Sequence, residues 1–345
     1  MEFLRRRLGL IFRTLVSVLL IGWLIEWVDW PKLWSIARVM EVSWLVAAFF
    51  SFAPVILIVS WRWRMLLGVH GVHLRYWRIL ELTMIGQFFS AFLVGTTGGD
   101  VVKIFYVARA VPQRRAAVAF TVVVDRVIGL IALLLLGVAL SFTQLPLLLS
   151  HPDTKAATGT FYLFAVGGVV ASVLACLGPF LLQHQGIRLF LKRLPFVHRG
   201  TSLFAAYEQT ARAFGVNAIA LLGSIPSQAS ILLMGYCVLR AMKLQPEGIH
   251  QAGFLLAFVS IVAMVNMLIA LPVAIAGLGV RETLFIMFFA LLGIDKEHAV
   301  AFSLTFFAIN LLWSLTGGPF YFLYRHETHT PPPDPAEVEP IFSES

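Results

Sequence analysis

Gly95-Thr-Thr-Gly-Gly-Asp100 interrupts an apolar run over about 79–110, and Leu271-Pro-Val-Ala-Ile-Ala-Gly-Leu-Gly-Val-Arg-Glu282 interrupts another over about 253–293. After each break only about ten to thirteen apolar residues remain. At 1.5 Å per residue such an arm is too short to cross about 30 Å of hydrocarbon. Both regions therefore read as helix–break–helix hairpins that re-enter on the side they left. Around them lie six uninterrupted apolar stretches, about 8–28, 43–61, 116–142, 160–182, 215–239 and 299–324. Backbone groups in hydrocarbon must be satisfied within the segment, so all six read as helices. The expectation is an all-α polytopic membrane protein with six full spans and two re-entrant hairpins.

Composition agrees with this reading. Of 345 residues, 59% are hydrophobic and 13% charged, against about 25% charged in soluble domains. A soluble surface cannot be covered with so little charge, which excludes a cytosolic enzyme, a secreted disulfide scaffold and a disordered regulator. The net charge of +8 reads as basic loops rather than nucleic-acid binding. Cys176 and Cys237 both sit in apolar runs and read as packing residues. Arg5, Arg6 and Arg7 precede the first stretch without a small-residue cleavage site, so it reads as a signal anchor.

With the N-terminus in the cytoplasm, seventeen basic residues fall on the inside and six on the outside, as the positive-inside rule expects. The inside set includes Arg62, Arg64, Arg75, Arg78, Arg109, Arg114 and Arg115; the outside set includes Lys32, Arg38, Arg240, Lys243 and Lys296. Both termini are then cytoplasmic, in the inner membrane. Charge alone does not separate six spans from ten, because both hairpins could also be pairs of spans. A single domain is expected over 1–325, with repeat halves at about 43–142 and 215–325, followed by a Pro-rich acidic tail over 326–345 that reads as disordered.

The halves are suggested by a shift of 182 positions. It lays Gly95 over Gly277, Asp100 over Glu282, Ala117-Val-Ala-Phe120 over Ala299-Val-Ala-Phe302, and Thr121 over Ser303. An odd number of crossings separates the copies, so they would face opposite ways. Inverted repeats with interrupted segments in matching places point to a transporter site near the midplane.

The charges at membrane depth are the candidate site: Asp100, Lys103, Asp125, Arg126, Arg281 and Glu282, beside Gly98, Gly99, Gly277 and Gly279. Each costs at least about 2.5–3.5 kcal/mol on insertion scales. Asp100 can cap the helix that follows, with Lys103 on the same side (i, i+3), and glycines allow a ligand close to the backbone. Such a helix start suits an anionic group, above all a phosphate. Gly277, Gly279, Arg281 and Glu282 would form the matching gate. The plainer reading makes the glycines packing residues and the acids simple caps. Arg126 could meet a lipid phosphate or Glu282, and Asp125 could meet Lys103 or Arg281; a buried structural pair is the alternative. His70 and His73 read as solvated. No Walker A, HExxH, GxSxG or acidic metal cluster is found, and no cofactor is expected.

Gly95–Lys103, Arg114, Asp125-Arg126-Val-Ile-Gly129 and Pro272–Glu282, in that order, resemble the lysylphosphatidylglycerol synthase transmembrane region, or flippase-like, family, over about residues 8–325. The resemblance implies an integral membrane lipid translocase module, tied in stand-alone members to phospholipid, polyprenyl-phosphate glycolipid or hopanoid pathways. The fused synthases also carry a soluble aminoacyl-transferase domain, which this chain is expected to lack, so aminoacyl transfer and a lysyl-lipid substrate are not carried over. The partner expected is a membrane lipid with an anionic head group. The alternatives are an intramembrane lipid-phosphate transferase with Asp125 as base, and an accessory subunit that docks a glycosyltransferase or lipid-modifying enzyme through the basic 183–214 loop.

Overall fold

The computed structural model describes residues 29–92, 98–181, 201–244, 251–270 and 279–327. The stretch 8–28, both break centres with Gly277, residues 182–200 and the tail from 328 lie outside the described residues.

The chain is all-α. An amphipathic helix, α1 (Trp30–Val39), is followed by α2 (Val42–Ser51) and α3 (Ala53–Val69). These two form one membrane-length unit, Val42–Val69. Pro54 has no N–H to return to the Phe50 carbonyl, the Phe52 N–H closes on the Phe49 carbonyl at 3.2 Å, and the chain turns there. Next come α4 (Tyr76–Phe92) and α5 (Gly98–Ala110), then a 3₁₀ turn Pro112–Arg114 leading into α6 (Arg115–Phe142). After the short α7 (Leu145–Leu148) come α8 (Pro152–Leu181), α9 (Thr201–Arg212) and α10 (Phe214–Ala241). The last three helices are α11 (Gln251–Ile269), α12 (Val280–Phe289) and α13 (Lys296–Glu327).

Among the described residues, six helices are long and apolar enough to cross a membrane: Val42–Val69, Pro112–Phe142, Pro152–Leu174, Phe214–Ala241, Gln251–Ile269 and Lys296–Tyr324. Five coincide with expected spans. The sixth, α11, is the first arm of the second broken region. The arms after the breaks are as short as read, with 13 residues in α5 and 10 in α12. Each packs against the arm before it, α5 on α4 and α12 on α11.

Contacts sort the segments into two ends. At one end Lys32 pairs with Asp295 and Glu297 at 2.9 and 3.1 Å, and Lys243 pairs with Glu41 at 3.3 Å. These are segments that the charge count puts on one side. At the other end Arg114 donates to the His70 carbonyl, Gln209 donates to the Val69 carbonyl, and Tyr106 meets Tyr324 with ring centroids 4.8 Å apart. So α5 ends where α13 ends, while α12 finishes beside the start of α13. Helix starts recur at nearly the same spacing: α5 and α12 begin 182 residues apart, at Gly98 and Val280, and α6 and α13 begin 181 apart, at Arg115 and Lys296.

Two packing modes hold the arms. Gly99 lies against Gly86 so closely that a Cβ would stand 1.9 Å from the Gly86 carbonyl oxygen; only glycine permits that helix approach. Around α12 the contact is aromatic. Phe285, Phe289 and Phe302 are fully buried with ring centroids 5.1–5.2 Å apart, and Phe258 joins them at 5.4 Å. Outward, α8 exposes Leu163, Val166, Val169, Val170, Val173 and Leu174, the surface that a lipid-facing helix presents.

Candidate functional site

The charges at depth fall into two clusters. The first is built by α3, α5, α6 and α10. Asp100 lies in the first turn of α5, just past the helix start at Gly98 rather than at a cap position. Its carboxylate accepts from Lys103 at 3.0 Å and from Arg126 of α6. Lys103 is buried, and its ammonium stands over the Trp63 ring, 5.1 Å from the centroid. Trp63 in turn donates its indole N–H to Thr121 at 3.3 Å.

Asp125, next to Arg126, faces another way. Its Oδ1 accepts from Arg62 Nε at 2.6 Å, and Arg62 Nη1 donates to the Ser224 hydroxyl, also at 2.6 Å. Arg62 and Asp125 are only 4% and 5% exposed. Gly129 leaves room for the guanidinium, and its carbonyl accepts from Gln228 at 3.1 Å. A pair this deep offsets its desolvation only with further hydrogen bonds, and here Ser224 supplies one to the guanidinium.

Arg62 is therefore not a loop residue, as its place after Trp61 suggests. Helix α3 continues to Val69 and carries it inside. The expected partners also need correcting. Asp125 meets neither Lys103 nor Arg281, and Arg126 meets Asp100 rather than Glu282. The missing partner was legible in principle, because Met65-Leu-Leu-Gly-Val69 continues the apolar run beyond Arg62.

In the second cluster the described partners bond to one another. Gly279 has φ +84°, a conformation that glycine adopts without strain. Its N–H donates to Glu282 Oε2 at 2.7 Å, the return half of a capping box. Glu282 Oε1 accepts from Arg281 Nη2 at 2.6 Å and from the Ser303 hydroxyl at 2.8 Å, while Arg281 Nε donates to Ser303 at 2.7 Å. Arg281 also lies over the Phe307 ring at 4.7 Å. Glu282 is 1% exposed.

The clusters differ in charge. The second holds one cation and one carboxylate. The first holds three cations, Arg62, Lys103 and Arg126, against two carboxylates, Asp100 and Asp125, among the described residues. Of these five, Arg126 reaches furthest out, with 38% of its side chain exposed. In a low-dielectric surrounding an excess cation favours an anion beside it.

His70 is another correction. Far from being solvated, it is 5% exposed and bonded at both ring nitrogens, to Gln209 at 3.1 Å and Thr210 at 2.9 Å. Gln209 uses its amide N–H on the Val69 carbonyl, so its oxygen accepts from Nδ1–H and Nε2 accepts from the Thr210 hydroxyl. Burial lowers the imidazole pKa, against the Gln209 bond and with help from the Arg114 charge. Among the described residues no group of three His, Cys, Asp or Glu side chains is placed to hold a metal.

A family model described as "Lysylphosphatidylglycerol synthase TM region" matches residues 10–318. No curated protein and no solved structure matches the chain.

Proposed function

Since the chain belongs to the lysylphosphatidylglycerol synthase TM region family, which supports a lipid-translocase-type role in a multi-pass membrane protein, we propose that it moves an amphiphile with an anionic head group across the membrane. Phospholipids and polyprenyl-phosphate-linked lipids are the classes that fit. The observation that carries the reading is the uneven charge of the first cluster. Among the described residues three cations and two carboxylates gather around the start of α5, and the outermost cation, Arg126, is partly exposed. A phosphate seated by Arg126 and Lys103 balances that excess. Gly98 and Asp100 shape the helix start beside it, Gly99 holds α5 on α4, and Asp125 anchors α6.

Depth supports the same reading. Asp100 lies ten residues from the end of α5, and Glu282 ten residues from Leu292, which closes the 3₁₀ turn after α12. At 1.5 Å per residue each is about 15 Å from its end of the molecule, and the two ends are opposite. In a core about 30 Å thick both carboxylates are then near the middle. On this reading 79–110 and 253–293 are re-entrant hairpins, the halves 43–142 and 215–325 are inverted copies within one domain over 1–325, and Gly277, Gly279, Arg281 and Glu282 form the second gate. Asp125 is occupied by Arg62, so nothing in the geometry favours it as the base of a transferase.

The test is a proteoliposome assay with head-labelled lipids. Anionic lipid should cross faster than zwitterionic lipid, and Lys103→Ala and Arg126→Gln should each slow it at least about tenfold, the loss of one charged hydrogen bond. Rates equal to protein-free vesicles, or unchanged in both variants, would remove the basis of the reading.

A further inference from the structure

We propose that the cleft between the α3–α4 turn, the start of α6 and α9 binds a phosphate-bearing polar group, at a site separate from the Asp100 cluster. The cleft has a volume of about 570 Å³, within the range of small-molecule sites. Its polar lining is His70 from the turn, Gln113 and Arg114 before α6, and Ser202 and Gln209 from α9. The remaining lining residues are glycine, alanine and valine, and none is acidic. Among the described lining residues Arg114 is the one formal cation, because burial lowers the His70 pKa and favours the neutral ring.

Arg114 is positioned before any ligand arrives. Its Nη1 donates to the His70 carbonyl, and the guanidinium fills the space where a Cβ on residue 71 would stand. Gly71 also has φ +66°, so two requirements converge on glycine there. A guanidinium carries five N–H donors in a planar fork suited to phosphate. The carbonyl orients the fork, and the rest of it lines the cleft. Ala116, Ala117, Ala205 and Ala206 leave room beside it. The 28-residue α6 begins there without a side-chain cap and adds its positive end.

The cleft is not the Asp100 cluster by another route. Arg114 precedes Arg126 by twelve residues, about 18 Å along the helix. Its size leaves space for a small polyol or sugar attached to the phosphate. A phospholipid head group and a soluble phosphate ester share that chemistry, and the experiment separates them.

The full chain in neutral detergent is titrated calorimetrically with glycerol 3-phosphate, with glycerol as control. In parallel, native mass spectrometry counts adducts of phosphatidylglycerol and phosphatidylcholine. Saturable binding of glycerol 3-phosphate alone indicates a soluble ester, and retention of phosphatidylglycerol alone indicates a head group. In either case Arg114→Gln should weaken binding about tenfold or more. Arg115→Gln, which removes the same charge from a residue outside the lining, should leave it unchanged. Ala205→Phe fills the cleft from an exposed position on α9 with Arg114 intact, and should weaken binding as much as Arg114→Gln. The proposal is overturned if neither probe binds, or if binding survives both Arg114→Gln and Ala205→Phe. The readout is equilibrium binding, so the outcome does not depend on whether the protein moves lipid.

Discussion

Neighbours on a helix point about 100° apart, and in α6 that angle separates two tasks. Asp125 turns toward Arg62 and Ser224, and Arg126 toward Asp100. Asp125→Asn leaves the Arg62 charge buried without its counter-ion and should cost about 3–5 kcal/mol, the toll of breaking a buried pair. Replacing both residues with apolar ones of similar volume should recover most of it. Thermal unfolding of the two purified variants measures the difference; equal losses in both would show that the pair does not act as a unit. The sequence made the presence of charges at depth legible, since intramembrane acids and bases stand out in a chain this apolar. It did not reveal who meets whom. Ser224 carries no signal in a helix rich in small residues, and the polar surroundings of Arg62 in Trp61-Arg-Trp-Arg64 resemble a span end. Pairing is decided by helix rotation and crossing, which a one-dimensional pattern does not encode.

Among the elements, the two short arms start 182 positions apart, at Gly98 and Val280, but differ in length and in chemistry. At the register of the shift, Lys103 in α5 stands against Phe285 in α12. The position that places an ammonium over Trp63 in one arm fills an aromatic core in the other. Ser303, which the 182-position shift lays over Thr121, is the hydroxyl that ties Arg281 to Glu282. The lengths of the arms were legible because Gly and Pro punctuate them; the unequal charge was not, because it depends on Arg62 joining only the first. Gly279→Ala forces a side chain into a left-handed conformation and should destabilise by about 1–3 kcal/mol, read as a lower unfolding temperature. Helix α9 makes a pH-dependent contact. His70 has a folded pKa below its ordinary value of 6.5, so the unfolded chain binds the extra proton between the two. Its contribution is complete above about pH 6.5 and fades as pH falls toward the folded value. Hydrogen exchange across 201–212 should therefore quicken below about pH 6.5 in the native protein and lose that step in His70→Gln.

At the scale of the molecule, the sorting of basic residues anticipated which segments share an end, even though the segment before Asp29 is not described. Lys32, Lys243 and their carboxylate partners gather at one end, and Arg114, His70 and Tyr324 at the other. The first end should be sensitive to acid. Burial works to raise the Asp295 carboxyl, but the His298 N–H, Lys32 and the His298 side chain outweigh it and hold the pKa at about 2. A depressed carboxylate stabilises fully above its ordinary 3.8 and loses that contribution as pH falls toward about 2. The α1 contact should loosen over that window and earlier in high salt, since Lys32 is exposed. Trp30 and Trp34 fluorescence would report it; a signal flat from pH 5 to 2 argues against the assignment.

The anchoring of α6 has a mechanical consequence. One residue of the helix is bolted to α3 and α10 while the next carries a long side chain on a separate bearing. On the proposed reading, a head-group phosphate is taken up by a rotamer change of Arg126 alone, while the Asp125–Arg62 pair stays in place. Side-chain rotation of a partly exposed arginine takes picoseconds to nanoseconds. On the proposed reading, capture of a head group is a fast hand-over, and the slow step of turnover is a larger motion than this one.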